Sequence, residues 1–144
     1  MAEEFTQFKT EYPFTTEHKI LWSDMDPLRH VNNVQYYRYF EHLRTEFFYQ
    51  LIGAIEKPDF GPVVAESGCR YLSSIVYPDT LVLGLKIEHI GNTQVIHQYA
   101  IFSQSQQKVV ATGHARMVNI DVASGQKAPL PDKYKELIKP YLVE

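Results

Sequence analysis

With 144 residues the chain has room for about one domain, and 44% hydrophobic against 22% charged residues is an ordinary globular balance. A net charge of -3 argues against nucleic acid as a main partner. One cysteine, Cys69, excludes an intrachain disulfide, no apolar run approaches the ~20 residues of a membrane span, and the polar, acidic start from Met1 to Thr10 lacks the apolar core of a secretion signal; a soluble, cytoplasmic protein with no membrane partner is expected.

Residues 1–17 carry little periodicity and are expected as an arm or an edge strand. His18 to Asp24 holds Ile20, Leu21 and Trp22, a short apolar run suited to a strand. Pro27 and two aspartates then mark a loop, and Asn32 and Asn33 offer helix-capping chemistry. From Asn33 the period changes. Tyr36, Phe40, Leu43, Phe47 and Leu51 fall on one face of an amphipathic helix, with Gly53 as its C-cap. The remainder reads as strands over Val63–Ile75, Thr80–Ile90, Gln94–Gln104 and Lys108–Asp121. In the second of these, Leu81, Leu83, Leu85 and Ile87 alternate with Val82, Gly84 and Lys86. Asp132 to Leu142 is a short terminal helix, capped by Asp132 and interrupted near Pro140. Strand, long helix and four strands joined by short turns make an α+β domain with an antiparallel sheet. The domain is expected to occupy residues 1–144, with 132–144 as a tail.

The informative segment is Asp24 to Tyr36, DMDPLRHVNNVQY. Carboxylates, a histidine and two amides crowd a loop that feeds a helix N-terminus. Such an end carries free N–H groups and partial positive charge, which can polarise a carbonyl and stabilise an oxyanion. A carboxylate a few residues earlier can attack that carbonyl or activate a water to do so. Taken singly, each residue has a plainer role. An Asp before a helix ordinarily caps it, His30 alone is a hydrogen-bonding loop residue, and Asn32 alone is a cap. Only the cluster raises the chemical reading.

The stretch LWSDMDPLRHVNNVQYYRYFEHLRTEFF resembles the hotdog-fold thioesterases of the 4-hydroxybenzoyl-CoA thioesterase-like group. Their motif reads, in outline, Asp-x-Asp-x-x-Gly-His-x-Asn-Asn-x-x-Tyr. The sequence matches at Asp24, Asp26, His30, Asn32, Asn33 and Tyr36, and departs at Arg29, where the family often has Gly, a residue that permits unusual backbone geometry. The likeness extends over roughly residues 18–135. It implies a long central helix wrapped by a five- to six-stranded antiparallel sheet, and hydrolysis of an acyl-CoA to free acid and CoA. Asp26 matches the catalytic carboxylate, as nucleophile or general base. The Asn33 backbone N–H matches the group that polarises the thioester carbonyl. His30 joins this set and, with Asn32, shapes the loop and holds water or substrate. Tyr36 lines the acyl pocket or packs in the core. Asn92 and Thr93 match a region that meets the nucleotide end of CoA in some relatives, although the basic residues those relatives use there are missing. No cofactor is implied, since CoA is part of the substrate. Active sites at a subunit interface imply a homodimer or homotetramer.

Glu66, expected near the helix, is a candidate to position water or substrate; a solvent-facing strand acid is the plainer alternative. Cys69 has no base in reach and reads as structural. The six histidines show no metal-ligand spacing, so no metal is expected. Two other readings compete: a hotdog hydratase or dehydratase, weakened because His30 follows Asp26 by four positions rather than five, and a non-catalytic acyl-CoA or acyl-carrier binding module.

Overall fold

The computed structural model describes residues 2–53 and 58–143. Helix α1 (Ala2–Glu11) precedes strand β1 (Phe14–Lys19). A 3-10 turn (Trp22–Asp24) and a loop lead into the long helix α2 (Asn33–Ile52). Strands β2 (Phe60–Tyr71), β3 (Thr80–Ile90), β4 (Gln94–Ser103) and β5 (Lys108–Asp121) follow, then helix α3 (Asp132–Ile138) and a 3-10 turn (Lys139–Tyr141). The strands form one sheet in the order β1-β3-β4-β5-β2, antiparallel throughout. Helix α2 therefore carries the chain from one edge of the sheet to the other. Irregularities at Val64/Glu66, Ile87/His89 and Ile101/Phe102 add the local bending that lets a sheet curl around a helix. This is the hotdog architecture, with five strands.

The helix face foreseen from spacing is the buried one: Tyr36, Phe40, Leu43 and Phe47 are buried, joined by Tyr39 and Ile52, while Leu51 is only partly covered. They pack against Leu81, Leu83, Leu85 and Ile87, all fully buried; each such side chain contributes about 1.5–3 kcal/mol relative to exposure. Helix and sheet meet closely at Gly113, where an added Cβ would lie 2.5 Å from the Phe40 ring.

The other face of β3 is covered too. Residues 2–11 form a helix rather than an arm, and Phe8 and Tyr12 pack on Val82, Ala100 and Phe102 in a second cluster. Helix α1 thus uses the alternate positions of β3 that a one-faced sheet would leave to solvent.

Three boundaries differ from the sequence reading. The first strand is Phe14–Lys19, not His18–Asp24. Leu21 and Trp22 are 61% and 71% exposed, and the chain turns there because the Asp24 carboxylate accepts the Leu21 N–H at 2.9 Å. β2 starts earlier and stops at Tyr71, short of Ile75. Helix α3 has Pro131, not Asp132, at its N-cap, since Asp132 is already helical and makes no side-chain cap. No helix among the described residues is long and apolar enough to cross a membrane.

Candidate active site

The loop from Asp24 to Asn32 is held from inside. Asp24 is buried, and its carboxylate accepts the Tyr39 hydroxyl from α2 at 2.9 Å as well as the Leu21 N–H. Its carbonyl accepts the Asn32 N–H at 3.0 Å. Burial and the Asp24 carboxylate together push the Tyr39 hydroxyl far above its usual pKa, so it stays protonated and donating. Asp24 is thus the loop's anchor.

Asp26 sits where the loop turns. Its N–H donates to the His30 carbonyl at 2.8 Å, its carbonyl accepts the Arg29 N–H at 2.9 Å, and its Oδ1 accepts the Leu28 N–H at 2.9 Å. Oδ2 takes no hydrogen bond from the described residues. The turn needs a left-handed residue, and Arg29 supplies it at φ 65°. The backbone shape that glycine makes easy is therefore present with arginine in its place.

Asn32 caps α2. Its φ and ψ are extended and its Oδ1 accepts the Val34 N–H at 2.9 Å. Asn33 is the first helical residue, so its N–H has no acceptor within the helix. Asp26, His30, Asn33 and Tyr36 line one open cavity of about 310 Å³, bordered also by Tyr71, Leu72, Ser73 and Ser74. His30, one of the lining residues, is exposed. Tyr36 fills both roles considered for it: it is 3% exposed, stacks edge-on against Tyr71 and also faces the cavity. The Tyr71 hydroxyl donates to the Asn33 carbonyl at 3.3 Å, tying β2 to the helix start.

A family model described as the thioesterase-like superfamily matches residues 20–138. The chain belongs to that superfamily. Thioester hydrolysis is accordingly the reaction class of this enzyme. The PA2801 protein of Pseudomonas aeruginosa is 30% identical to it, covering 86% of this chain and 96% of its own, with a TM-score of 0.78. A thioesterase from Thermus thermophilus, complexed with coenzyme A and zinc, is 27% identical over 91% of this chain and 95% of its own, also with a TM-score of 0.78. Among curated proteins, YsmA of Bacillus subtilis is 27% identical over 134 residues, 93% of this chain and 90% of that protein.

Within one copy of this thioesterase-superfamily chain, the other proposed contacts lie apart from the cavity. Glu66 is on the outer face of β2. Its carboxylate sits 3.7 Å from His114, with both side chains more than half exposed, whereas the neighbouring Gly113 faces the helix. Asn92 and Thr93 form the β3–β4 turn, at the opposite end of the sheet from the Asp26 loop, where their carbonyls accept the Leu130 and Asn119 N–H groups. Among the described residues, no group of three His, Cys, Asp or Glu side chains is placed to hold a metal ion.

Sequence reading missed the bordering segment, Tyr71 to Ser74, and the residue that pins it. Gln106, on the β4–β5 turn, accepts the Ser73 hydroxyl at 2.7 Å and donates to the Ser74 carbonyl at 2.7 Å. Nothing in local spacing marks a residue more than thirty positions away as part of a loop's support.

Proposed function

We propose that the enzyme hydrolyses an acyl-CoA thioester to the free acid and CoA, with Asp26 as the reacting carboxylate and the Asn33 N–H as the carbonyl-polarising group. The observation that carries this is the shared cavity: a carboxylate with one oxygen uncommitted faces the positive end of a twenty-residue helix. A thioester carbonyl whose oxygen meets the Asn33 N–H presents its carbon to Asp26. Asp26 then removes a proton from an attacking water, or attacks directly and forms an anhydride that water opens. Either route puts negative charge on the carbonyl oxygen, where the helix end stabilises it. Collapse expels the CoA thiolate, which takes a proton. His30 in the lining and Asn32 at the cap keep the loop in this form.

The enzyme acts as a homodimer or a dimer of dimers. Strand β2 is a free edge with twelve residues, and Val63, Val64 and Tyr71 along it are all more than 40% exposed. Unpaired edges of that length are templates for pairing.

The test is thiol release from a panel of short, long, branched and aromatic acyl-CoAs by the purified protein and by Asp26→Asn. The variant keeps an oxygen for the Leu28 N–H, so the loop survives. Turnover on some member that falls by about 10²–10⁴-fold in the variant is expected. Turnover unchanged in a folded variant removes Asp26 from the chemistry, and no release from any member removes acyl-CoA hydrolysis.

A further inference from the structure

A second cavity, of about 520 Å³, lies between the C-terminal half of α2 and the first residues of β2. Its walls include the aromatic and apolar Phe47, Phe60, Met117 and Tyr134, and its lining also holds Glu41, Arg44, Thr45 and His97. His97 is 4% exposed, and its Nδ1 is 2.9 Å from the Tyr99 hydroxyl. The Arg44 guanidinium lies beside that same hydroxyl. A guanidinium only donates, and with Arg44 donating to the Tyr99 oxygen the arrangement that also uses the Tyr99 proton gives it to His97 Nδ1. The His97 proton is then on Nε2, which takes no partner from the described residues and is not sealed from the cavity. Burial, and then the Arg44 charge, pull the His97 pKa down to about 3, so the ring is neutral near pH 7. Of the other polar groups in the lining, Glu41 is paired with Arg38 at 3.3 Å, which leaves the Arg44 guanidinium and the His97 imidazole N–H as the charged donor and its neighbour facing the cavity. No carboxylate of the described residues pairs with Arg44. A guanidinium with no carboxylate partner, beside an imidazole N–H, suits a carboxylate.

We infer that this cavity receives the distal end of the acyl group, and that Arg44 and His97 select acyl thioesters ending in a second carboxylate. The inference rests on the acyl-CoA reading above. Within one copy, Arg44 is eleven residues beyond Asn33 on α2, roughly 16 Å along the helix axis, beyond the reach of a six-carbon acyl group held at Asn33. Strand β2 resolves this. Its Phe60–Val64 end borders the Arg44 cavity and its Tyr71 end borders the Asp26 cavity. Antiparallel pairing of two β2 edges about a two-fold axis puts these opposite ends side by side, with strands about 5 Å apart. The Arg44 cavity of one copy then faces Asp26 of the other.

The experiment compares adipoyl-CoA with hexanoyl-CoA and terephthaloyl-CoA with benzoyl-CoA, in the wild type and in Arg44→Leu. It reads kcat/KM, and also the Kd of non-hydrolysable thioether analogues of the same pairs. The wild type is expected to favour the carboxylated member of each pair about 10- to 100-fold, and Arg44→Leu to lose that preference while still acting on the neutral member. Equal preference in wild type and variant, in either readout, overturns the proposal. The thioether arm needs no turnover: discriminating binding without hydrolysis would leave this site standing and sink the hydrolytic reading alone. Mixed dimers of Asp26→Ala and Arg44→Leu settle the arrangement, because a site shared between copies regains one intact Asp26–Arg44 pair. Adipoyl-CoA turnover reappearing in the mixture is expected; no recovery, with mixed dimers shown by mass spectrometry, refutes the shared site.

Discussion

Replacing Arg29 by glycine probes the shape of the site loop at a residue outside the proposed chemistry. Arg29 holds φ 65°, and a left-handed conformation costs an ordinary L-residue roughly 1–2 kcal/mol. Its side chain is exposed, so little packing is lost on substitution. Glycine relieves the strain but widens the unfolded ensemble, which subtracts about 0.5–1 kcal/mol. The net expectation is about 0.5–1 kcal/mol of added stability, or roughly 1–4 °C in Tm for a chain of this size. Arg29→Ala is the control: it keeps the strain and is expected to be within about 0.5 kcal/mol of wild type. Urea unfolding gives the free energies, at one fixed protein concentration because association shifts apparent stability. An Arg29→Gly variant less stable than wild type by about 1 kcal/mol or more, or an Arg29→Ala variant that gains as much as glycine, would show that residue 29 is not left-handed in solution and that the turn holding Asp26 differs from the one described.

Two further expectations concern the core and the assembly. His97 has a folded pKa near 3 against an ordinary value of about 6.5, so between those pH values the unfolded chain binds a proton that the folded chain refuses. Its contribution is fully present above about pH 6.5 and declines as pH falls towards 3, by up to about 1.4 kcal/mol per pH unit. Urea unfolding at pH 7.5 and pH 5 should therefore show about 2 kcal/mol more loss in wild type than in His97→Gln; equal losses in the two proteins refute it. His18 is shifted in the same direction by its own burial, which is why the difference between the two proteins is the quantity to read. Light scattering on a size-exclusion column should give a dimer or a larger even-numbered species, and a monomer that retains turnover would rule out a site shared across β2.

Much of the secondary structure was legible because it depends on local periodicity. The 3.6-residue spacing of Tyr36, Phe40, Leu43 and Phe47 places a buried helix face, and the alternation from Leu81 to Ile87 places a strand with the boundaries found. The first strand was misplaced because an apolar run, Ile20 to Trp22, was read as buried. Only the Asp24 carboxylate, held by Tyr39 fifteen residues later, turns Leu21 and Trp22 outward. Residues 2–11 gave no helical signal of note because the partners of Phe8 and Tyr12, Val82, Ala100 and Phe102, lie far along the chain.

The site divides along the same line. The sequence by itself determined the groups proposed to react: a carboxylate, its turn and a capped helix start lie within ten residues, where chain connectivity alone keeps them close. The tertiary structure decided what surrounds them. It brought Tyr71 to Ser74 across from Asp26, set Glu66 on the outer face and the Asn92–Thr93 turn at the far end of the sheet, and placed Arg44 and His97 on one cavity, with Tyr99 against His97. Those contacts arise from strand order and helix crossing, which bring together residues that no local spacing relates.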